Sequence, residues 1–259
     1  MRIRVVCWNI HKGIGGVDRR YDLDRIIDAI LEQEADIVLL QEVAEGMPQL
    51  RFEDQAWLLS EGLEMPHLAY GPEHRFSRGG YGNLILSRYP LTDIHHIDLR
   101  IGNRKKRGVI SARTHVRMEG HTRSVVLFNL HLGLAGSERA EQLSRFLQCD
   151  PFAGLHESTP IVLGGDLNDL WGSLGPRFLK PAGFDRAGSL SNTFPAALPI
   201  RPLDGIFVRG DVRAASCAPR RTALTRAASD HLPLLAELEV LSPEDAYPRT
   251  EPRTESRTE

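Results

Sequence analysis

The sequence predicts an α/β protein, and three observations predict it. Short β-branched apolar runs recur along the chain and read as strands. Amphipathic stretches of helical period lie between several of them. Most distinctively, strand after strand ends or begins in acids, amides and histidines. The sharpest case is Ile161-Val162-Leu163-Gly164-Gly165-Asp166-Leu167-Asn168-Asp169, a buried strand whose two glycines are expected to let the backbone turn.

Residues 3–8 form the first strand, finishing at Trp8-Asn9. After a glycine-bearing loop, Leu23, Ile26, Ile27, Ile30 and Leu31 recur at helical spacing over residues 21–34. A buried strand at 36–40 then ends in Gln41-Glu42, so a β-α-β unit delivers Asn9 and Glu42 together. A helix is expected over 52–62. Gly82-Asn83 leads into a strand at 84–87. Strands at 94–99 and 109–116 make a hairpin around the basic loop Arg104-Lys105-Lys106-Arg107, which reads either as a solvated turn or as a phosphate contact. The strand at 124–130 delivers Asn129 and His131, and a helix over 137–148 leads back to the glycine-bearing strand. Residues 172–183 read as partly helical and 192–195 open an irregular segment. Leu203-Asp204 starts a further strand at 203–208, and Ser229-Asp230-His231 precedes the last one, at 232–241.

Composition narrows the function classes. Hydrophobic residues make up 41% of the 259 and charged residues 25%, as in ordinary globular proteins. The formal net charge is −2, so no overall basic field points to nucleic acid. Cys7, Cys149 and Cys217 are far apart and form no CxxC pair, which argues against a disulfide framework and a zinc site. The chain begins in strand-like sequence, and no apolar run approaches the ~18 residues that span a bilayer, so a cytoplasmic protein is expected. Nothing signals a coiled coil, and a monomer is expected. From residue 242 the sequence turns to Pro, Glu, Arg and Thr and repeats a polar tetrapeptide, which cannot build a core. The organisation is therefore one catalytic-sized domain over 1–241 and a disordered polar tail over 242–259.

The polar residues at strand ends are Asn9, Glu42, His131, Asp166, Asn168, Asp204, Asp230 and His231. Each alone has an ordinary explanation: a turn cap, a solvated acid, a satisfied core histidine. Together they form an oxygen-rich set suited to a hard cation such as Mg²⁺, or Mn²⁺ in its place. They also suit phosphate ester hydrolysis, which needs an oriented water, a base and neutralisation of the phosphoryl oxygens. Asp204 and His231 can form a carboxylate–imidazole pair. No serine or cysteine sits in a nucleophile-like setting, so direct attack by water is the simpler chemistry.

Trp8-Asn9, Gln41-Glu42, Gly82-Asn83, Asn129-Leu130-His131, Gly165-Asp166-Leu167-Asn168, Leu203-Asp204-Gly205 and Ser229-Asp230-His231 stand in this order. The ordered set resembles that of the endonuclease/exonuclease/phosphatase superfamily, the deoxyribonuclease I-like metal-dependent phosphoesterases. The resemblance implies a four-layer α/β/β/α sandwich of two mixed, mainly antiparallel sheets flanked by helices. It implies Glu42 as principal metal ligand with Asn9 and Asp230 close by, and His231, oriented by Asp204, as general base, with Asp166 the competing candidate. Asn168 and His131 become donors to the phosphoryl oxygens. Asn83, Asn129 and the loop Arg104, Lys105, Lys106 and Arg107 are assigned to substrate binding. Gly205 replaces a larger residue common in relatives, which implies a more open substrate side. The implied function is a Mg²⁺-dependent phosphodiesterase and a possible endonuclease. Two alternatives stand beside it: a phospholipid or phosphoinositide head-group phosphoesterase, and a catalytically silent binding module. The last is disfavoured because every expected site residue is present.

Overall fold

The first β-α-β unit forms as the apolar periodicity requires. In the computed structural model, which describes residues 1–118 and 121–242, β1 (Arg2–Asn9) pairs in parallel with β2 (Ile37–Glu45). Between them, α1 (Asp24–Leu31) buries Ile26, Ala29 and Ile30. The helix begins later than the periodicity indicates because Tyr21 is held in a β-bridge with Ile14. α2 (Gln55–Gly62) likewise starts late: Asp54 caps it by accepting from the Trp57 amide at 3.1 Å.

β3 (His67–Arg75) and β4 (Gly80–Ser87) extend this sheet. β5 (Leu91–Asp98), β6 (Gly108–Met118) and β7 (His121–His131) start the second sheet as a meander. A second parallel unit follows, with β7 crossing through α3 (Gly136–Gln148) to β8 (Ile161–Asp166). One π-helical turn, Gly175–Leu179, is the helical part of the 172–183 stretch. β9 (Asp185–Arg186) and β10 (Asp204–Arg209) finish the second sheet. β11 (Val212–Pro219), α4 (Ala223–Ala228) and β12 (Leu234–Val240) return to the first. The strand orders are β11-β12-β1-β2-β4-β3 and β5-β6-β7-β8-β10-β9.

Strand alternation divides the apolar residues into three layers of packing. Val5 and Cys7 of β1 face inward, meeting Leu127, Val162 and Ile206 of the other sheet. Val6 and Trp8 face outward onto α1 and α2, while Phe128, Leu163 and Phe207 face outward onto α3 and Phe146. The result is the four-layer sandwich expected, with parallel contacts only at β1/β2 and β7/β8 among the described pairings.

Gly164 and Gly165 make no turn; they lie inside β8. A Cβ on Gly164 would meet Leu39 of the facing sheet at 2.7 Å, and one on Gly165 would meet the Leu130 carbonyl oxygen at 2.0 Å. Their absent side chains allow close sheet and strand approach rather than a bend. Gly205 also differs from expectation. Its missing side chain faces the Phe207 ring (2.8 Å) and the Arg186 guanidinium (3.0 Å), on the opposite face of β10 from Asp204, so it does not widen the substrate side. No described helix is long and apolar enough to cross a membrane. The expected polar tail lies outside the described residues, apart from its first position.

Candidate active site

Strand direction brings the functional residues to one end of the sandwich. β1, β2, β7 and β8 finish there, while β10 and β12 begin there. Across the second sheet the register is His131↔Asp166 and Asp166↔Asp204, so three ionisable side chains stand in one row on adjacent strands. His231, from the loop before β12, closes the row from the other sheet. Its Nδ1 lies 2.9 Å from Asp204 Oδ2, and the Thr193 hydroxyl donates to the same oxygen.

Asp166 is the centre of the array. Its Oδ2 accepts from Asn9 Nδ2 at 3.0 Å and lies 3.4 Å from His131 Nε2 and 3.8 Å from His231 Nε2. Its Oδ1 accepts from the Asn168 backbone amide at 2.9 Å. Burial, together with Asp204, raises the Asp166 carboxyl to about 6 against the opposing pull of His231. Burial also opposes a charge on His231, but Asp204 and Asp166 outweigh it and hold the imidazole up at about 10. Phe194 lies against this ring at 4.9 Å, and Trp8 Nε1 donates to the His231 carbonyl at 2.8 Å. Asn168 has φ +50° and donates its side-chain amide to the Leu132 carbonyl at 2.9 Å, so part of its donor capacity holds the loop.

Behind His131 is a buried pair that sequence periodicity does not mark. The Arg107 guanidinium donates to His131 Nδ1 at 3.0 Å and lies 3.5 Å from Glu73 Oε2. Glu73 Oε1 accepts from Asn83 Nδ2 and from the Gly108 amide, both at 2.9 Å. Burial raises Glu73 to about 7, against the lowering effect of Arg107. Arginine can only donate, so the His131 Nδ1 must carry the lone pair and the ring proton sits on Nε2, facing Asp166. Burial and then Arg107 hold His131 well below its usual range, which keeps that neutral tautomer.

These contacts correct several substrate-binding assignments. Arg107 and Asn83 are buried and positioned behind the site, not at its mouth. Asn129 is fully buried: Nδ2 donates to the Leu40 and Leu84 carbonyls at 2.8 and 2.9 Å, and Oδ1 accepts from Gln41 Nε2 at 2.6 Å. Arg104 pairs with Glu138 at 3.3 Å, and Lys106 donates to the Pro72 carbonyl at 3.3 Å. Within the basic loop, Lys105 is the residue over the Tyr81 ring, at 4.9 Å, on the Glu42 side of the site.

Glu42 sits at a β-bulge, where the β2/β4 register shifts between Leu40 and Val43, and its φ is +56°. The Lys12 ammonium contacts its carboxylate directly. Burial pushes Glu42 up, but Lys12, His11 and Arg107 more than offset this and leave it below its usual range. His11 Nδ1 lies 3.8 Å from Asp230 Oδ1, and its backbone amide donates to Asn9 Oδ1 at 3.0 Å. Lys12 and His11 escape sequence analysis because their left-handed backbone, φ +59° and +46°, follows no periodic pattern.

Two donor groups adjoin here. Asp166, Asp204 and His231 bring one ligand atom each within 4.8 Å of one another. Beside it stand the oxygen donors Asn9, Glu42 and Asp230: Asn9 pairs with Gln41, next to Glu42, across the β1/β2 register, His11 contacts both Asn9 and Asp230, and the Lys12 ammonium is drawn onto Glu42. The oxygen-only set fits a hard divalent ion, whereas His231 Nδ1 in the first is already committed to Asp204.

The sequence profile of the Endonuclease/Exonuclease/phosphatase family matches residues 6–231. The chain belongs to this family. It is 33% identical over 248 residues to YbhP of Escherichia coli K12, covering 91% of this chain and 95% of that one. Among solved structures it is similar to an endonuclease/exonuclease/phosphatase from Beutenbergia cavernae, with a TM-score of 0.77, 22% identity and coverage of 92% of this chain and 72% of the other. The Bacteroides thetaiotaomicron mannosyl-6-phosphatase Bt3783 matches with a TM-score of 0.70 at 18% identity, covering 92% of this chain and 99% of that one. As a member of the family, the chain is a hydrolase of phosphoester bonds, and the family generally depends on a divalent metal.

Proposed function

We propose that the protein is a Mg²⁺-dependent phosphodiesterase that hydrolyses its substrate by direct attack of water. One observation carries the reading: the buried row His131–Asp166–Asp204, closed by His231, beside the oxygen donors Glu42, Asn9 and Asp230. Those three residues would hold the ion, and the bound ion supplies neutralisation and polarisation of the phosphoryl oxygens. Asp166, its carboxyl at about 6, flanks the position of the attacking water and takes its proton, while His231, held as a cation by Asp204 and Asp166, stands beside it to stabilise the developing phosphoryl charge. His131, presented as the Nε2–H tautomer by Arg107, donates to developing phosphoryl charge, as does the remaining amide hydrogen of Asn168. Lys12 and Lys105 add positive charge on the Glu42 side.

The test uses bis(p-nitrophenyl) phosphate and supercoiled plasmid with Mg²⁺, with and without chelator. Diester cleavage should require the metal and fall by about 10²–10⁴ in His231→Ala or Asp166→Asn. Turnover indifferent to the chelator or to both substitutions would sink the reading, and no turnover on either substrate would favour a binding module. Metal-dependent nicking of plasmid would make the diester a nucleic acid. A head-group phosphoester is the second reading. It is favoured because Arg104, Lys106 and Arg107 are engaged within the protein rather than free for a phosphate backbone.

A further inference from the structure

The end of the sandwich that carries the active site also carries a concentration of exposed apolar side chains. Leu170 and Trp171 follow β8, and Leu190, Leu198 and Ile200 lie in the segment leading into β10. Trp171 is 73% exposed and Leu198 67%. Two more stand on neighbouring loops of the same end: Val17, after β1, and Leu134, after β7, at 68% and 75%. These loops surround the catalytic row. The Phe194 ring touches His231, Phe194 and Arg201 form a β-bridge, and the Arg201 guanidinium lies over Trp171 at 5.0 Å.

The rim of the same end carries exposed arginines. Arg19 and Arg20 are exposed on the loop after β1, where Gly16 runs against Asp230. Arg220 and Arg221 are exposed where β11 ends, opposite the start of β12. Two acids of this end are paired, Asp18 with Arg25 at 2.7 Å and Glu138 with Arg104 at 3.3 Å, and Glu45 is exposed at the end of β2. A face of exposed aliphatic and indole side chains ringed by arginine has the chemistry of an interfacial surface, with apolar groups entering the acyl boundary and cations meeting anionic head groups.

We propose that this face docks on a bilayer bearing anionic phospholipid, so that the cleft receives a lipid phosphoester without the lipid leaving the membrane. The inference rests on the phosphoesterase reading for its chemistry and on the rim for its location. A nucleic-acid track fits less well, because aliphatic side chains offer no face for base stacking and most of the Arg104–Arg107 loop is engaged internally. A second copy of the chain fits less well too, because a two-fold contact through this face would set its arginines against their own kind.

The experiment is flotation of the full chain with vesicles of phosphatidylcholine alone and of phosphatidylcholine with phosphatidylglycerol. Hydrolysis of soluble bis(p-nitrophenyl) phosphate is measured in parallel. The protein should float with the anionic vesicles, less so at high salt. Leu198→Ser combined with Ile200→Ser should weaken that binding about tenfold or more. Arg220→Ala with Arg221→Ala should weaken it and flatten the salt dependence. A Leu31→Ser, Leu68→Ser control, where α1 ends and β3 begins, should bind normally, and soluble turnover should be unchanged throughout. No flotation with anionic vesicles overturns the proposal, as does normal flotation of the Leu198/Ile200 variant. Equally, conversion of a dimer to a monomer by that variant would mark the face as a self-interface, and its loss of single-stranded oligonucleotide binding would mark a nucleic-acid surface. Flotation without soluble turnover would remove the phosphoesterase reading and leave the docking; turnover without flotation does the reverse.

Discussion

His131 shows how one arginine decides what a histidine can do. Its Nδ1 faces the Arg107 guanidinium at 3.0 Å, which leaves one neutral tautomer, with the proton on Nε2. Imidazole nitrogen shifts by NMR should therefore show His131 protonated at Nε2, and Arg107→Met should yield a mixture of tautomers. A single tautomer that persists in the variant would remove this role. Glu73, behind Arg107, gives a pH signature. Burial raises it from its usual value near 4.5 to about 7. In that interval the folded protein holds more protons than the unfolded chain. The contribution to stability is thus full below the unfolded value and is lost as pH rises through about 7, by on the order of 3 kcal/mol. Melting temperatures across pH 5–8 should fall for the native protein and be flatter for Glu73→Gln. Glu73 is hidden from sequence analysis because it stands between Pro72 and His74 in an edge strand without clear alternation, and its function depends wholly on what folds against it.

At the scale of elements, the bulge in β2 is the device that presents Glu42. It interrupts the ladder between Leu40 and Val43, and Asn129 of the opposite sheet supplies the donors there, bonding the Leu40 and Leu84 carbonyls. This explains why Asn129 is misassigned from sequence. It is two residues before His131 on the same strand face, and chain spacing gives no sign that it lies one rung deeper, inside the sandwich. Asn83 is misread for the same reason: a polar residue at a strand end can point into a cleft or bridge two layers. Asn129→Leu leaves two buried carbonyls without donors, at a cost of about 1–3 kcal/mol each. Thermal denaturation should show that loss. Because the bulge would relax, the Mg²⁺ concentration needed for half-maximal turnover should rise. A destabilised variant with unchanged Mg²⁺ dependence would confine Asn129 to packing.

For the whole molecule, the two β-α-β units were legible because their central strands are buried on both faces and their helices are amphipathic. The edges were not. β3 contains Gly71 and Pro72, and β11 is rich in alanine, compositions that a half-solvated edge tolerates and that periodicity reads as loop. The site is legible as a set of strand ends but not as a charge balance. Glu42, Asp230, Asp166 and Asp204 converge on one end, and Lys12 and His231 are the cations that meet them here. A divalent ion on Glu42 must displace the Lys12 ammonium, so binding should be visible in stability without any turnover. Mg²⁺ at about a hundred times its dissociation constant adds roughly 2.7 kcal/mol to a folded state that alone binds it. For a chain of this size that is a rise of about 5–10 °C in melting temperature. Glu42→Gln should abolish the rise, and Lys12→Met, which removes the competing cation, should produce it at lower Mg²⁺. If Glu42→Gln kept the full rise while Asp204→Asn lost it, the ion would belong instead to the Asp166–Asp204–His231 cluster, and Asp166 could no longer serve as the proton acceptor.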